Sequence, residues 1–104
     1  SCGFLTWMDI MERHHCMCWK VKGLRELVDF PDIYSLIAPR FLQCQNGLKE
    51  PINQFHPIMA RRAFECVKQA YDDVGTPGNA QLHIHGEGHV VDVSALVGFI
   101  TAHL

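Results

Sequence analysis

Two titratable residues stand where a chain of this kind can place chemistry. Glu50 follows the run Phe41-Leu42-Gln43-Cys44-Gln45 and the pair Asn46-Gly47, and His89 follows Gln81 to His85 and then Gly86-Glu87-Gly88. Each lies in a loop just beyond a segment that reads as a strand. A carboxylate that accepts a hydrogen bond from one imidazole nitrogen fixes the tautomer of the ring and leaves the other nitrogen to deprotonate a nucleophile. An acid followed by a histidine on neighbouring strand ends is the arrangement that this division of labour needs. The plainer reading makes Glu50 a solvated loop carboxylate beside Lys49 and His89 a loop histidine that follows a glycine turn. A nucleophile for the pair is harder to find. The only serines are Ser1, Ser35 and Ser94, none of them in a strand-to-helix elbow, while Cys44 and Cys66 fall within a strand and a helix and read as small buried hydrophobes.

Two other groupings invite a metal reading. His14, His15, Cys16 and Cys18 combine imidazole and thiolate, which together favour zinc or copper. Cys-x-Cys alone is a weak signal, and no second ligand pair with structural-zinc spacing follows it. His83 and His85 share one face of a strand, opposite Leu82 and Ile84, where sheet packing or surface exposure is the simpler role. No metal and no cofactor is therefore expected.

The elements that must position Glu50 and His89 follow from periodicity. Residues 1–5 are compatible with the end of a strand, and Trp7 to His14 with a short helix that Thr6 can cap. Gly23 to Val28 makes a turn or two of helix stopped before Pro31, and Asp32 to Ala38 a short helix ended by Pro39. Phe41 to Gln45 reads as a buried strand bounded by Pro39 and by Asn46-Gly47 as a turn. The clearest helix begins at Pro57, with Ala60, Ala63, Phe64, Val67, Ala70, Tyr71 and Val74 at helical spacing and Gly75 at its C-terminal cap. After the turn Thr76 to Asn79, Gln81 to His85 forms a second strand, Gly86 to His89 a tight turn, and Val93 to Leu104 an amphipathic helix. The order predicts one α/β unit over residues 1–104, a partial parallel sheet of two to three strands flanked by helices. So small a sheet leaves open edges, so the chain is expected to need either more of its own polypeptide or a second copy in a homo-oligomer.

Composition narrows the class. With 104 residues and 48% hydrophobic content, the chain is long and apolar enough for one small core. A net charge of -2 without runs of one sign gives no footprint for nucleic acid or for an anionic membrane. No apolar stretch of about 18 residues is present, and the opening SCGFLTWMDIMERHH lacks the pattern of a signal peptide. Five scattered cysteines suit reduced thiols and a cytoplasmic setting better than a disulfide framework. The chain opens Ser-Cys-Gly-Phe without an initiator methionine, so residue 1 reads as an added remnant or the edge of a larger parent.

Four runs in order carry a family resemblance: Leu36 to Leu42, Asn46 to Ile52, Ala60 to Phe64, and Gly86 to His89. Together they resemble the C-terminal third of α/β-hydrolases of the dienelactone hydrolase and acetyl xylan esterase type. The upstream stretch His15-Cys16-Met17-Cys18 with Val21-Lys22-Gly23 resembles a segment joining a strand end to the next helices in some of these proteins. The resemblance implies a carboxylic ester hydrolase with a small ester substrate, with His89 as the catalytic histidine and Glu50 as the triad acid, where the family usually has aspartate. It also implies a serine in a G-x-S-x-G elbow upstream of everything in this chain, within an N-terminal hydrolase portion that is missing here. By itself the chain is expected not to hydrolyse esters by that mechanism.

Overall fold

The computed structural model describes residues 22–52 and 54–104. The expected strand end at residues 1–5, the helix over Trp7–His14 and the His14, His15, Cys16 and Cys18 cluster lie outside the described residues.

Helix α1 spans Leu24–Leu27 and starts from Gly23, whose φ of 79° is one that glycine adopts without steric cost. Helix α2 spans Phe30–Ser35. The Asp29 carboxylate accepts from the Phe30 N–H at 2.7 Å, and the Asp29 N–H donates to the Asp32 carboxylate at 2.7 Å. This cap corrects the expected span of Asp32 to Ala38. Pro31 sits inside the first turn of α2, where a missing N–H costs nothing, rather than acting as the stop of the helix before it.

Strand β1 spans Leu42–Gly47, helix α3 Pro57–Asp73, strand β2 Ala80–His85 and helix α4 Val93–Ala102. A 3-10 turn over Pro77–Asn79 leads into β2, and the Asn79 amide donates to the Pro39 carbonyl at 2.7 Å. β1 and β2 are parallel, in register from Leu42 opposite Ala80 to Gly47 opposite His85. This is the α/β unit with a small parallel sheet that the element order implies, two strands wide among the described residues. The turn expected at Asn46-Gly47 falls later, across Leu48-Lys49, where the Glu50 N–H donates to the Gly47 carbonyl at 3.3 Å. Pairing with β2 carries both residues into the strand, since ladder hydrogen bonds to a neighbouring strand outweigh a local turn preference.

The core lies between β1 and α3. Leu42 and Cys44 meet Ala60, Ala63, Val67 and Tyr71, with Phe64, Ala80 and Leu82 packed around them. Pro57 fits the first turn of α3, and the His56 ring accepts from the Ile58 N–H at 3.3 Å as its cap. Burial raises the Tyr71 phenol above its usual range, and its O–H donates to the Arg40 carbonyl at 2.6 Å. Burial likewise pushes the Cys44 thiol up to about 11. Two expectations on α3 are corrected: Cys66 is exposed, not buried, and so is Val74. Cys66 immediately precedes Val67 and so lies about 100° around the helix from it, off the buried stripe.

β1 is buried at all six residues, whereas β2 is mostly half-exposed, so solvent reaches the sheet chiefly at β2. The face that meets α3 is apolar. Gln43 and Gln45 point the other way and bind the start of α4: the Gln45 side chain accepts from the Asp92 N–H at 2.9 Å and donates to the Asp92 carbonyl at 3.2 Å. α4 was expected to bury an apolar face, yet none of its residues is buried. The side chains beneath its start are amides, which provide hydrogen bonds and no apolar floor there.

Candidate acid–histidine site

The pairing of β1 and β2 continues past their C-terminal ends into the two loops. The Leu48 N–H donates to the His85 carbonyl at 2.8 Å and the Lys49 N–H to the Glu87 carbonyl at 3.0 Å. Lys49 and Glu87 also pair through their side chains at 3.0 Å, an exposed bridge worth at most about 1 kcal/mol. The loops approach so closely that a Cβ on Gly47 would stand 2.2 Å from the carbonyl oxygens of both Glu87 and Gly88. Glycine is needed at 47 for close approach of backbone, not for a turn.

These contacts bring the two residues singled out from the sequence together. Glu50 Oε1 lies 2.5 Å from His89 Nδ1. The Glu50 side chain is 1% exposed and the His89 ring 54% exposed, so the carboxylate stands behind the imidazole and the imidazole faces solvent. The solvated-carboxylate reading of Glu50 does not hold. A carboxylate only accepts hydrogen bonds, so the contact puts the ring proton on Nδ1 and leaves a lone pair on Nε2. Nε2 makes no hydrogen bond among the described residues. Glu50 Oε2 is buried without a hydrogen-bond partner among the described residues, so the imidazole is the side chain that offsets the burial of the carboxylate.

Phe55 fixes the ring from a second direction. Its side chain stacks on His89 with centroids 4.9 Å apart and planes inclined by 29°. The Phe55 carbonyl accepts from the buried Asn46 side-chain amide at 3.0 Å, which ties the loop carrying Glu50 and Phe55 back to β1. The sequence marks neither as part of a site: Asn46 reads as a turn residue, and a stacking contact across 34 positions leaves no local signature.

The nucleophile candidates among the described residues are engaged or placed elsewhere. Ser35 Oγ donates to the Pro31 carbonyl at 2.7 Å, Ser94 lies exposed in the first turn of α4, Cys44 is buried in β1, and Cys66 lies on the outside of α3. Among the described residues no three ligating side chains converge on a point where a metal could bind. His83 and His85 have separate partners. The His85 ring is buried and its Nδ1 accepts from the Glu87 N–H at 3.3 Å. His83 Nε2 lies 2.9 Å from Asp92 Oδ2, while Asp92 Oδ1 accepts from the Ala95 N–H at 3.0 Å and caps α4. The Ala95 N–H, then His83, hold the Asp92 carboxyl below the usual carboxylate range. This second pair was missed. Its one signal was an aspartate directly before an apolar helical run, where helix caps are found.

Among the described residues no helix is long and apolar enough to cross a membrane. No family model, curated protein or solved structure matches the chain.

Proposed function

We propose that the chain is the acid–histidine portion of a serine-dependent carboxylic ester hydrolase, of the α/β-hydrolase type that dienelactone hydrolase and acetyl xylan esterase represent. One observation carries the reading: a buried carboxylate and a solvent-facing imidazole meet at 2.5 Å on loops leaving the same end of two parallel strands. Ligands of open α/β sheets gather at that edge, and acid before histidine is the chain order of the last two triad members in this fold. In the complete enzyme a serine hydroxyl donates to His89 Nε2, the ring takes that proton as the serine attacks an ester carbonyl, and Glu50 stabilises the imidazolium. The ring then returns the proton to the leaving alcohol. The sequence contains no G-x-S-x-G elbow, so alone it does not turn over esters by this route.

The encoding gene tests the reading. An in-frame G-x-S-x-G upstream of Ser1 is expected, and the longer product should be labelled by a fluorophosphonate at that serine in a way that His89→Ala abolishes. A reading frame that starts at this chain, with no such elbow, contradicts it.

A second reading, a non-enzymatic homo-oligomer, is favoured by α4 and the end of the chain. Val93, Val97, Ile100 and Leu104 are all exposed and follow the 4-3-4 spacing of a helix-pairing seam. Light scattering at micromolar concentration separates the two readings: a monomer removes the oligomeric one.

A further inference from the structure

We propose that His89 is itself an acyl-accepting nucleophile, and that the chain alone reacts with activated aryl esters through an acyl-imidazole at His89 Nε2. The inference rests on the same acid–histidine pair as the reading above but requires no serine and no partner.

The five described histidines differ in which nitrogen they offer. His56 uses Nδ1 to accept from the Ile58 N–H, His83 presents Nε2 to Asp92, and His85 is buried. His103 stacks on Phe41 with centroids 3.8 Å apart and meets Phe99 edge-on. Among these, His89 alone sets Nδ1 against a buried carboxylate and leaves Nε2 without a hydrogen bond on a half-exposed ring. Nε2 is also the less hindered nitrogen, because Nδ1 adjoins the ring carbon that bears the side chain. His83 is therefore the internal contrast, since its carboxylate occupies the nitrogen that would attack. Phe55, stacked on one face of the His89 ring, supplies an apolar neighbour that favours an aryl ester over a charged one.

The step balances without an added oxidant, reductant or metal. The Nε2 lone pair attacks the ester carbonyl, the Nε2–C bond forms, and the C–O bond breaks with its electron pair leaving on the aryloxide. The acyl-imidazolium keeps its Nδ1 proton against the Glu50 carboxylate, which offsets the new positive charge. Water then attacks the acyl carbon, the C–Nε2 bond breaks, and the carboxylic acid departs as one water proton passes to solvent. The neutral ring with its proton on Nδ1 is restored.

The test is p-nitrophenyl acetate mixed with the chain alone, with stopped-flow detection of p-nitrophenolate and rapid acid quench for peptide mass mapping. We expect a burst approaching one phenolate per chain and one hydroxylamine-labile acetyl group on the peptide containing His89. Glu50→Gln should slow the burst about tenfold or more, the usual scale for removing a group that orients an imidazole, while His83→Gln leaves it unchanged. Circular dichroism of Glu50→Gln confirms that the fold is retained, and the mapping on the unmodified chain needs no variant at all. Release no faster than from an equal concentration of N-acetylhistidine amide, or acetylation that maps to another residue, overturns the inference. Because the chain is assayed alone, either negative result removes this inference only, and the upstream-serine reading stands or falls on its reading frame.

Discussion

Among the described residues are two histidine–carboxylate pairs, whose histidines stand six positions apart, and they are built to opposite ends. In the first, Glu50 is 1% exposed and meets His89 through Nδ1; in the second, Asp92 is 30% exposed and meets His83 through Nε2. Asp92 is held by several bonds, with one oxygen capping α4 and its backbone bound to Gln45. Among the described residues Glu50 has His89 as its one side-chain hydrogen-bond partner, and its second oxygen has none. A carboxylate with one oxygen on a helix N–H and the other on a ring nitrogen fastens a helix. One that is buried behind a single exposed ring responds to what that ring does, and so can support proton or acyl transfer. Residue types alone do not separate these roles; burial and the nitrogen engaged do.

Of the changes that would separate the two pairs, one at Gly47 is expected to act most strongly. Gly47→Val forces a side chain into the Glu87 and Gly88 carbonyls, and parting the loops should cost about 3 kcal/mol. It should abolish the acetyl burst at His89 while leaving the bond between His83 and Asp92 in place. Chemical denaturation with the same burst assay checks both. Next comes Tyr71→Phe, which leaves the Arg40 carbonyl without its phenol donor and should cost about 1 kcal/mol without touching either pair.

Asp92 sharpens the contrast by pH. Its carboxyl is depressed in the folded chain by the Ala95 N–H and by His83, so its contribution is present above the unfolded carboxylate range near 3.9 and is lost as pH falls through the lower folded value. Urea midpoints between neutral pH and pH 3 should fall at the acidic end, and Asp92→Ala should flatten that fall while the neutral-pH burst at His89 persists. The smallest effect is expected from Lys49→Ala. That exposed bridge to Glu87 lies beside the site but adds little, so stability should change by less than about 0.5 kcal/mol.

Much of this frame was legible before the structure. The stripe on α3, with Pro57 at its start and Gly75 past its end, follows from helical spacing and cap chemistry, and the alternation of Leu82 and Ile84 marks β2. The meeting of Glu50 and His89 was legible because both follow strand segments and parallel strands bring their C-terminal loops together. What escaped was set by tertiary partners. Asn46-Gly47 carries the local signature of a turn, yet β2 draws both residues into a strand, where Asn46 anchors Phe55 and Gly47 clears space for Glu87. Pro31 reads as a stop but starts a helix, because Asp29 and Asp32 cap it. The exposure of α4 follows from Gln43 and Gln45 beneath its start, amides whose direction no single segment reveals. A family identity was legible only as a resemblance, and it remains a proposal.

The central claim is that Glu50 sets the tautomer of His89 and thereby frees Nε2. Two-dimensional 1H–15N correlation of the histidine rings in their neutral form reads this directly. A proton on Nδ1 and an unprotonated Nε2 are expected for His89, with the opposite assignment for His83 and loss of the His89 preference in Glu50→Ala. A proton on Nε2 of His89, or the same tautomer mixture there as in a free imidazole, would contradict it.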